Sequence, residues 1–357
     1  MIELEGVTKQ YLYGARILGT TEMCVGDGEI VALLGDSGSG KTTLLKVIAG
    51  VTDCDGKVLI DGNSVAKRPD DVVMIFDDLA VFENHSFYYN LAYPLKIRGY
   101  DKAEIDKKVK ECAERLGIVS CLYERVRKMP LIDVKRLAIA RLFLRKYRAL
   151  LVDDITSGLS REDADELWNE VMPILLELAK SGVSVIYSTK SLKEALSVSD
   201  RIAVLHCGEL KQLDSAKRIY DAPSNIWAAQ AIDRHYCFER ARLEAENGKL
   251  TVVLGVKTPN KPSNEYRLDG SAFIGKIAYG YENKQIYVGW HACDFADDGE
   301  RIEDVAYAVF EGGRYILHTL SGICVESAVK KSRVCTLPKI EKVMLFDFEN
   351  ENSILTD

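Results

Sequence analysis

The chain contains no apolar run approaching the roughly 20 residues needed to cross a bilayer, so no helical membrane span is expected in it. It has no excess of positive charge. The 47 Lys and Arg stand against 54 Asp and Glu, and the net charge of −7 speaks against a bulk electrostatic footprint for nucleic acid. There is no Cys-x-x-Cys pair. The nine cysteines are odd in number and scattered, the usage of a reducing compartment rather than of a disulfide framework or a zinc site. No internal repeat or low-complexity tract stands out. Met1-Ile2-Glu3-Leu4-Glu5 reads as an alternating strand, not as a basic-then-apolar leader. What is present, 47% hydrophobic and 28% charged residues over 357 positions, suits a globular protein of two domains.

The most informative stretch is Gly35-Asp36-Ser37-Gly38-Ser39-Gly40-Lys41-Thr42-Thr43, a full match to the phosphate-binding pattern Gly-x-x-x-x-Gly-Lys-[Ser/Thr]. The apolar run Ile30–Leu34 precedes it as a buried strand, and Leu44–Ala49 continues as a helix. Glycines let successive backbone N–H groups turn inward around a triphosphate, and the helix N-terminus adds the positive end of its dipole. Lys41 is expected to reach the β- and γ-phosphates of ATP, and the Thr42 hydroxyl to ligate Mg²⁺. Further on, Ala149-Leu150-Leu151-Val152 is an apolar strand ending in Asp153-Asp154. Its first carboxylate, Asp153, is placed to hold Mg²⁺ directly or through water.

Up to about residue 234 strands and helices alternate. Val72–Phe76, Ala149–Val152, Val183–Tyr187 (with Ser184 within it) and Ile202–Leu205 are apolar runs without alternation, as strands covered on both faces are. A helical insert spans about 86–147, in which Ile105, Val109, Cys112, Ala113 and Leu116 share one helical face behind an Asp101/Glu104 cap. From 235 to 357 the texture becomes short strands and turns. Asn247-Gly248 and Glu311–Arg314 read as hairpin turns, giving a small all-β barrel or sandwich.

At this point the chain resembles the ATP-binding subunits of ABC transporters, and its tail resembles the OB-like TOBE domain of sugar-importer ATPases. The likeness is carried by the phosphate loop, by Asp153, by Val7–Tyr11, Phe82–Leu91, Leu137–Arg141 and Ser199–Leu205, and in the tail by Ile286–Trp290 and Leu345–Asp347. It implies an α/β P-loop cassette with a helical subdomain over 1–234 and a β domain over 235–357. It also implies an aromatic, Tyr11 or else Tyr13, stacking on adenine. Phe82, His85, Tyr88 and Asn90 would line the groove that receives a transmembrane permease subunit. A solute-binding protein would act indirectly from outside, with sugar or polyol as cargo. The chain would work at the cytoplasmic face of the cell membrane, without nucleic acid.

Departures from the family pattern cluster on catalysis. The signature Leu-Ser-Gly-Gly-Gln, which completes the opposite ATP site of a dimer, reads Met129-Pro130-Leu131-Ile132-Asp133. Pro130 has neither hydroxyl nor N–H, and Asp133 suits a helix cap better than a phosphate. The general-base Glu becomes Asp154, one methylene shorter. The switch His becomes Lys190, either a γ-phosphate ligand or a solvated lysine. The Gln that senses Mg²⁺ becomes Asp77, either a metal ligand or part of a polar loop. Ser160 replaces an aspartate, both residues being good helix caps, and His291 reads as a surface or lightly buried histidine rather than a ligand. The lesions fall on both composite sites. The expectation is therefore a weak ATPase paired with a more complete second ABC ATPase, a heterodimer rather than a homodimer; the alternative is a non-catalytic regulatory or scaffold subunit.

Overall fold

In a computed structural model the described residues are all of 1–357 except 12, 13, 15, 66–68, 233–235, 247, 248, 255–265, 274, 275, 278–280, 282, 283, 292, 296–300, 312, 313, 320–322, 329, 330, 332, 337, 340, 341, 356 and 357. Tyr13 and the turn residues Asn247, Gly248, Gly312 and Gly313 thus lie outside them. The chain divides into two compact units, Met1–Ala216 and Lys217–Asp357. The boundary expected from composition, 234/235, differs from this division by the short helices Ala216–Asp221 and Ile226–Ile232.

The first unit holds two sheets. Strands β1 (Ile2–Gln10), β2 (Arg16–Val25), β4 (Asp55–Ile60) and β5 (Asn63–Ser64) form an antiparallel sheet in the order β2-β1-β4-β5. Strands β3 (Ile30–Leu34), β6 (Val72–Ile75), β7 (Ala149–Asp153), β8 (Ser184–Thr189), β9 (Arg201–His206) and β10 (Glu209–Ser215) form the second, in the order β10-β9-β3-β8-β7-β6. All neighbours in it run parallel except β9 and β10. Every residue of β3, β7 and β8 is buried, which is why Ile30–Leu34, Ala149–Val152 and Val185–Tyr187 within them read as apolar runs. The C-terminal ends of β3, β7 and β8 lie side by side, where an open α/β sheet places its ligand crevice.

Helix α1 (Lys41–Ile48) follows the phosphate-loop stretch. Helices α2 (Phe87–Ile97), α3 (Lys102–Arg115) and α4 (Leu131–Ala140) occupy the expected insert, and α5 (Arg161–Lys180) and α6 (Leu192–Val198) follow β7 and β8. The face of α3 anticipated from spacing is the buried one: Ile105, Val109, Cys112 and Ala113 pack inward. Asp101 and Glu104 form a complete capping box. Ser160 caps α5 by accepting from the Asp163 N–H at 3.1 Å.

The second unit contains a five-stranded and a four-stranded antiparallel sheet, with Leu243, Val252, Ile286, Trp290, Leu317 and Val325 in one shared core. Cys237–Glu246 and Lys249–Leu254 pair as the first expected hairpin, and Ile302–Glu311 and Arg314–Thr319 as the second. Cys24, Cys54, Cys112, Cys121, Cys207, Cys237, Cys293 and Cys324 are present as thiols.

Candidate functional site

The phosphate-loop stretch links the end of β3 to α1. Gly35 lies so close to β9 that an added Cβ would stand 2.3 Å from the Leu205 carbonyl oxygen, so no side chain fits there. Gly40, at φ 101°, is the N-cap of α1 and offers no side-chain cap. The first-turn N–H groups of α1 therefore stay available to an anion. Lys41 is buried and donates to the Gly35 and Asp36 carbonyls at 2.5 and 2.8 Å and to Ser39 Oγ at 3.3 Å. Burial lowers its pKa; Asp154, Asp153 and Asp36 oppose that shift, and Lys190 adds to it.

Around this loop opens a cleft of about 390 Å³. It brings together most of the residues singled out from sequence: Ser37 to Thr43, Asp77, Asp153, Asp154 and Lys190. At the end of β7 Asp153 is 2% exposed. Its Oδ1 accepts from Ser188 Oγ at 2.7 Å, whereas its Oδ2 is buried with no hydrogen-bond partner. Asp154 adopts a left-handed conformation, φ 43°, uncommon for a non-glycine residue. Its N–H donates to the carbonyl and hydroxyl oxygens of Ser188 at 3.2 and 3.1 Å. Its carboxylate meets Lys190, with Nζ 3.1 Å from Oδ2. The two positions expected to be catalytic thus pair with each other in the cleft lining.

Other positions fall elsewhere. Tyr11 is 45% exposed and outside the cleft lining, with the Lys9 ammonium 5.0 Å from its ring centroid. Asn90 is fully buried and braces the chain rather than facing a groove. It accepts from the Phe82 N–H at 2.8 Å and from Arg141 at 2.9 Å, and donates to the Phe82 and Ser86 carbonyls. The Tyr88 hydroxyl bonds Asp106, which pushes its pKa up to about 12. Phe82 and His85 do lie on the surface, in a patch completed by Tyr89 and Tyr93: His85 stacks on Tyr89 at 4.0 Å, and Phe82 meets Tyr93 edge-on at 4.9 Å. Both tyrosines project from α2.

At the degenerate signature Pro130 occupies the N-cap position of α4 and makes no side-chain cap. Asp133 is not a cap either. It stands in the first turn and pairs with Arg136 at 2.9 Å, which also binds Glu166 at 2.5 Å and Glu170 at 2.7 Å. A negative charge there suits the helix dipole and is spent within the chain. Leu131 is 43% exposed.

Several contributors escaped the sequence. Ile17 and Ser157 line the cleft. Lys135, buried on α4, has its pKa lowered by desolvation, while Asp77 and Asp154 raise it. Ile17 and Lys135 belong to stretches with no phosphate-binding pattern, so no local signal marked them.

The family model for the ABC transporter matches residues 18–157. The chain is 31% identical over 261 residues to the spermidine/putrescine import ATP-binding protein of Haemophilus ducreyi, covering 71% of this chain and 69% of that one. It is 34% identical over 215 residues to the trehalose/maltose import ATP-binding protein of Thermococcus litoralis, covering 57% of each. Against the spermidine/putrescine import protein of Vibrio cholerae identity is 30%, and the match covers 65% of that relative. The chain thus spans less than two thirds of some of these relatives and slightly more of others. Among solved structures, a dimeric ATP-binding cassette in a post-hydrolysis state bound to ADP and phosphate superposes with TM-score 0.54 at 23% identity. That match covers 60% of this chain and 99% of the other, and it shows the fold alone. With an intact phosphate loop on this cassette fold and relatives of this similarity, the chain belongs to the family of ABC transporter ATP-binding proteins.

Proposed function

We propose that the chain is the nucleotide-binding subunit of a solute importer, binding Mg-ATP in the cleft at β3, β7 and α1 and hydrolysing it slowly. The helix N-terminus, the Gly38 and Gly40 backbone and Lys41 would hold the phosphates. The site fits Mg²⁺. Asp153 keeps a buried anionic oxygen without a donor, an arrangement that is costly unless a cation answers it. No group of three or more His, Cys, Asp or Glu forms a metal cage among the described residues. That accords with Mg²⁺, which takes one or two protein ligands and completes its shell with phosphate and water. Thr42 and Asp153 would supply those ligands, with Asp77 beside them; the ion would neutralise the phosphate charge.

The observation that carries slow turnover is the Lys190–Asp154 ion pair at 3.1 Å. A carboxylate committed to an ammonium is a poor base toward water, and general-base catalysis is worth about 10²–10⁴ in rate. For the opposite composite site Pro130 has neither hydroxyl nor N–H where the family places serine, and the exposed Leu131 puts a side chain where it places glycine; losing one such donor costs about 10²–10³. These two lesions support pairing with a second, more complete ATPase subunit. The aromatic patch Phe82, His85, Tyr89 and Tyr93 is the surface we assign to a permease. No described helix is long and apolar enough to cross a membrane. Attachment to the cytoplasmic face would therefore run through that permease. The relatives' names widen the cargo from sugar or polyol to polyamine. The same ion pair favours a second reading, in which ATP is bound and retained as a regulatory ligand.

The test is ATP binding and turnover of the chain purified with its partners. Lys41→Ala should weaken ATP binding roughly tenfold to a hundredfold, the worth of one charge-assisted hydrogen bond. The pair Asp154→Glu with Lys190→His should raise turnover about tenfold or more. A homodimer of the unaltered chain turning over at ordinary transporter rates would refute slow hydrolysis, and unchanged transport in Lys41→Ala would refute a role for ATP here.

A further inference from the structure

Behind the Asp154–Lys190 pair lies a buried carboxylate with no part in the reading above. Glu194, in the first turn of α6, is 8% exposed. Thr156 Oγ1 donates to its Oε1 at 2.9 Å, Thr189 Oγ1 donates to its Oε2 at 2.7 Å, and the Tyr187 hydroxyl donates to the same Oε2. Among the described residues no cation forms an ion pair with it. Three hydroxyls carry the charge instead, a full set of donors in a place where an unanswered carboxylate would be expensive. Tyr187 is itself fully buried against Trp168, with ring centroids 5.0 Å apart, which fixes the cage on one side.

The donors come from strand β8, which holds Tyr187 and Thr189, and from the segment after β7, which holds Thr156. Thr156 follows Asp154 by two residues, and Thr189 immediately precedes Lys190. Thr189 Oγ1 also accepts from the Ser191 N–H at 2.9 Å, so it grips the chain on the far side of Lys190. The ends of β7 and β8 are also joined through Ser188, which accepts from the Asp154 N–H and donates to Asp153. The Asp154–Lys190 bridge is therefore bracketed by two independent ties, one at Ser188 and one at Glu194. A carboxylate needed only to start α6 would require none of this, since Ser191 already caps that helix.

We propose that Glu194 is a positioning residue for the nucleotide site: its carboxylate fixes the spacing of the Asp154 and Lys190 backbones, and so governs whether Lys190 rests on Asp154 or reaches the γ-phosphate. The inference rests on the reading that the cleft binds ATP.

A double-mutant cycle on the full chain tests it, with the dissociation constant of Mg-ATP measured for the unaltered protein, Lys190→Ala, Glu194→Gln and the double variant. Thr156→Val, alone and with Lys190→Ala, removes one donor at less risk to folding and carries the cycle if Glu194→Gln does not fold. Lys190→Ala should weaken ATP binding about threefold or more in the unaltered protein and by less than about 1.5-fold in either altered background, the non-additivity of coupled sites. A purely structural Glu194 would lower the melting midpoint yet leave the Lys190→Ala effect the same in every background, and that result overturns the proposal. So does Lys190→Ala without effect in the unaltered chain. Failure of the unaltered chain to bind Mg-ATP at all would overturn the nucleotide reading itself, a distinguishable outcome.

Discussion

Replacing Arg141 with Met should destabilise the first unit by about 2–4 kcal/mol. The guanidinium donates to the carbonyls of Leu79 and Ala80 at 3.2 and 2.9 Å and to Asn90 Oδ1 at 2.9 Å. Hydrogen bonds from a charged donor are worth about 1.5–3 kcal/mol each, so three amount to roughly 5–9 kcal/mol. Against this stands burial without a carboxylate partner, which lowers the pKa from 12.5 to about 10. At 1.36 kcal/mol per pH unit that is about 3 kcal/mol, and Nε, buried with no partner, is part of the reason. Leu79 and Ala80 are held at φ 57° and 44°. That conformation costs about 1–2 kcal/mol per residue, and with the surrounding chain intact only part of it is recovered, which places the net loss in the lower half of the remaining range of roughly 2–6 kcal/mol. For a unit of this size each kcal/mol moves the midpoint about 2–4 °C, so calorimetry should show the first-unit transition falling about 4–16 °C. Arg141→Lys keeps the charge but not the fork, and should recover only part of the loss. A midpoint within about 1 °C of the unaltered protein would refute the argument, because it would mean that burial cancels all three bonds.

Asp101→Ala removes one half of the capping box on α3 and should cost about 0.5–2 kcal/mol, read as a lower denaturant midpoint with an unchanged slope. Glu29 is acted on by desolvation, which raises its pKa, and by hydrogen bonds from Arg201 and the Gly26 N–H, which prevail and lower it below 4.5. Its contribution to stability is thus full above pH 4.5 and is lost as pH falls through the lower folded value, so Glu29→Gln should flatten the acid limb of the stability–pH curve; an unchanged limb counts against the Arg201 pairing. Phe82→Ala with Tyr89→Ala should leave ATP binding within about twofold and abolish co-purification with the permease, since both rings lie on the α2 patch and outside the cleft. Retained co-purification would move the docking surface elsewhere.

Much of this protein was legible from residues alone wherever the signal is local. The buried strands declared themselves as apolar runs because both faces are covered, and α3 through its period and its Asp101/Glu104 box. The phosphate loop was legible because glycine spacing and Lys41 act over a few consecutive residues. Asp153, Asp154 and Lys190 were singled out by pattern and do meet in one cleft. Tertiary structure alone decided how charge is distributed there. Only the parallel pairing of β7 with β8 brings Lys190 onto Asp154, and only the fold gives Glu194 donors from β8 and from the segment after β7. It also turned Asn90 inward as a brace and gave Asp133 to Arg136. Sequence period and spacing fix what a residue does within its own element. Partners brought together from separate strands and helices depend on distances that no local pattern encodes, and whether a carboxylate is a base, a metal ligand or half of an ion pair is set by those partners.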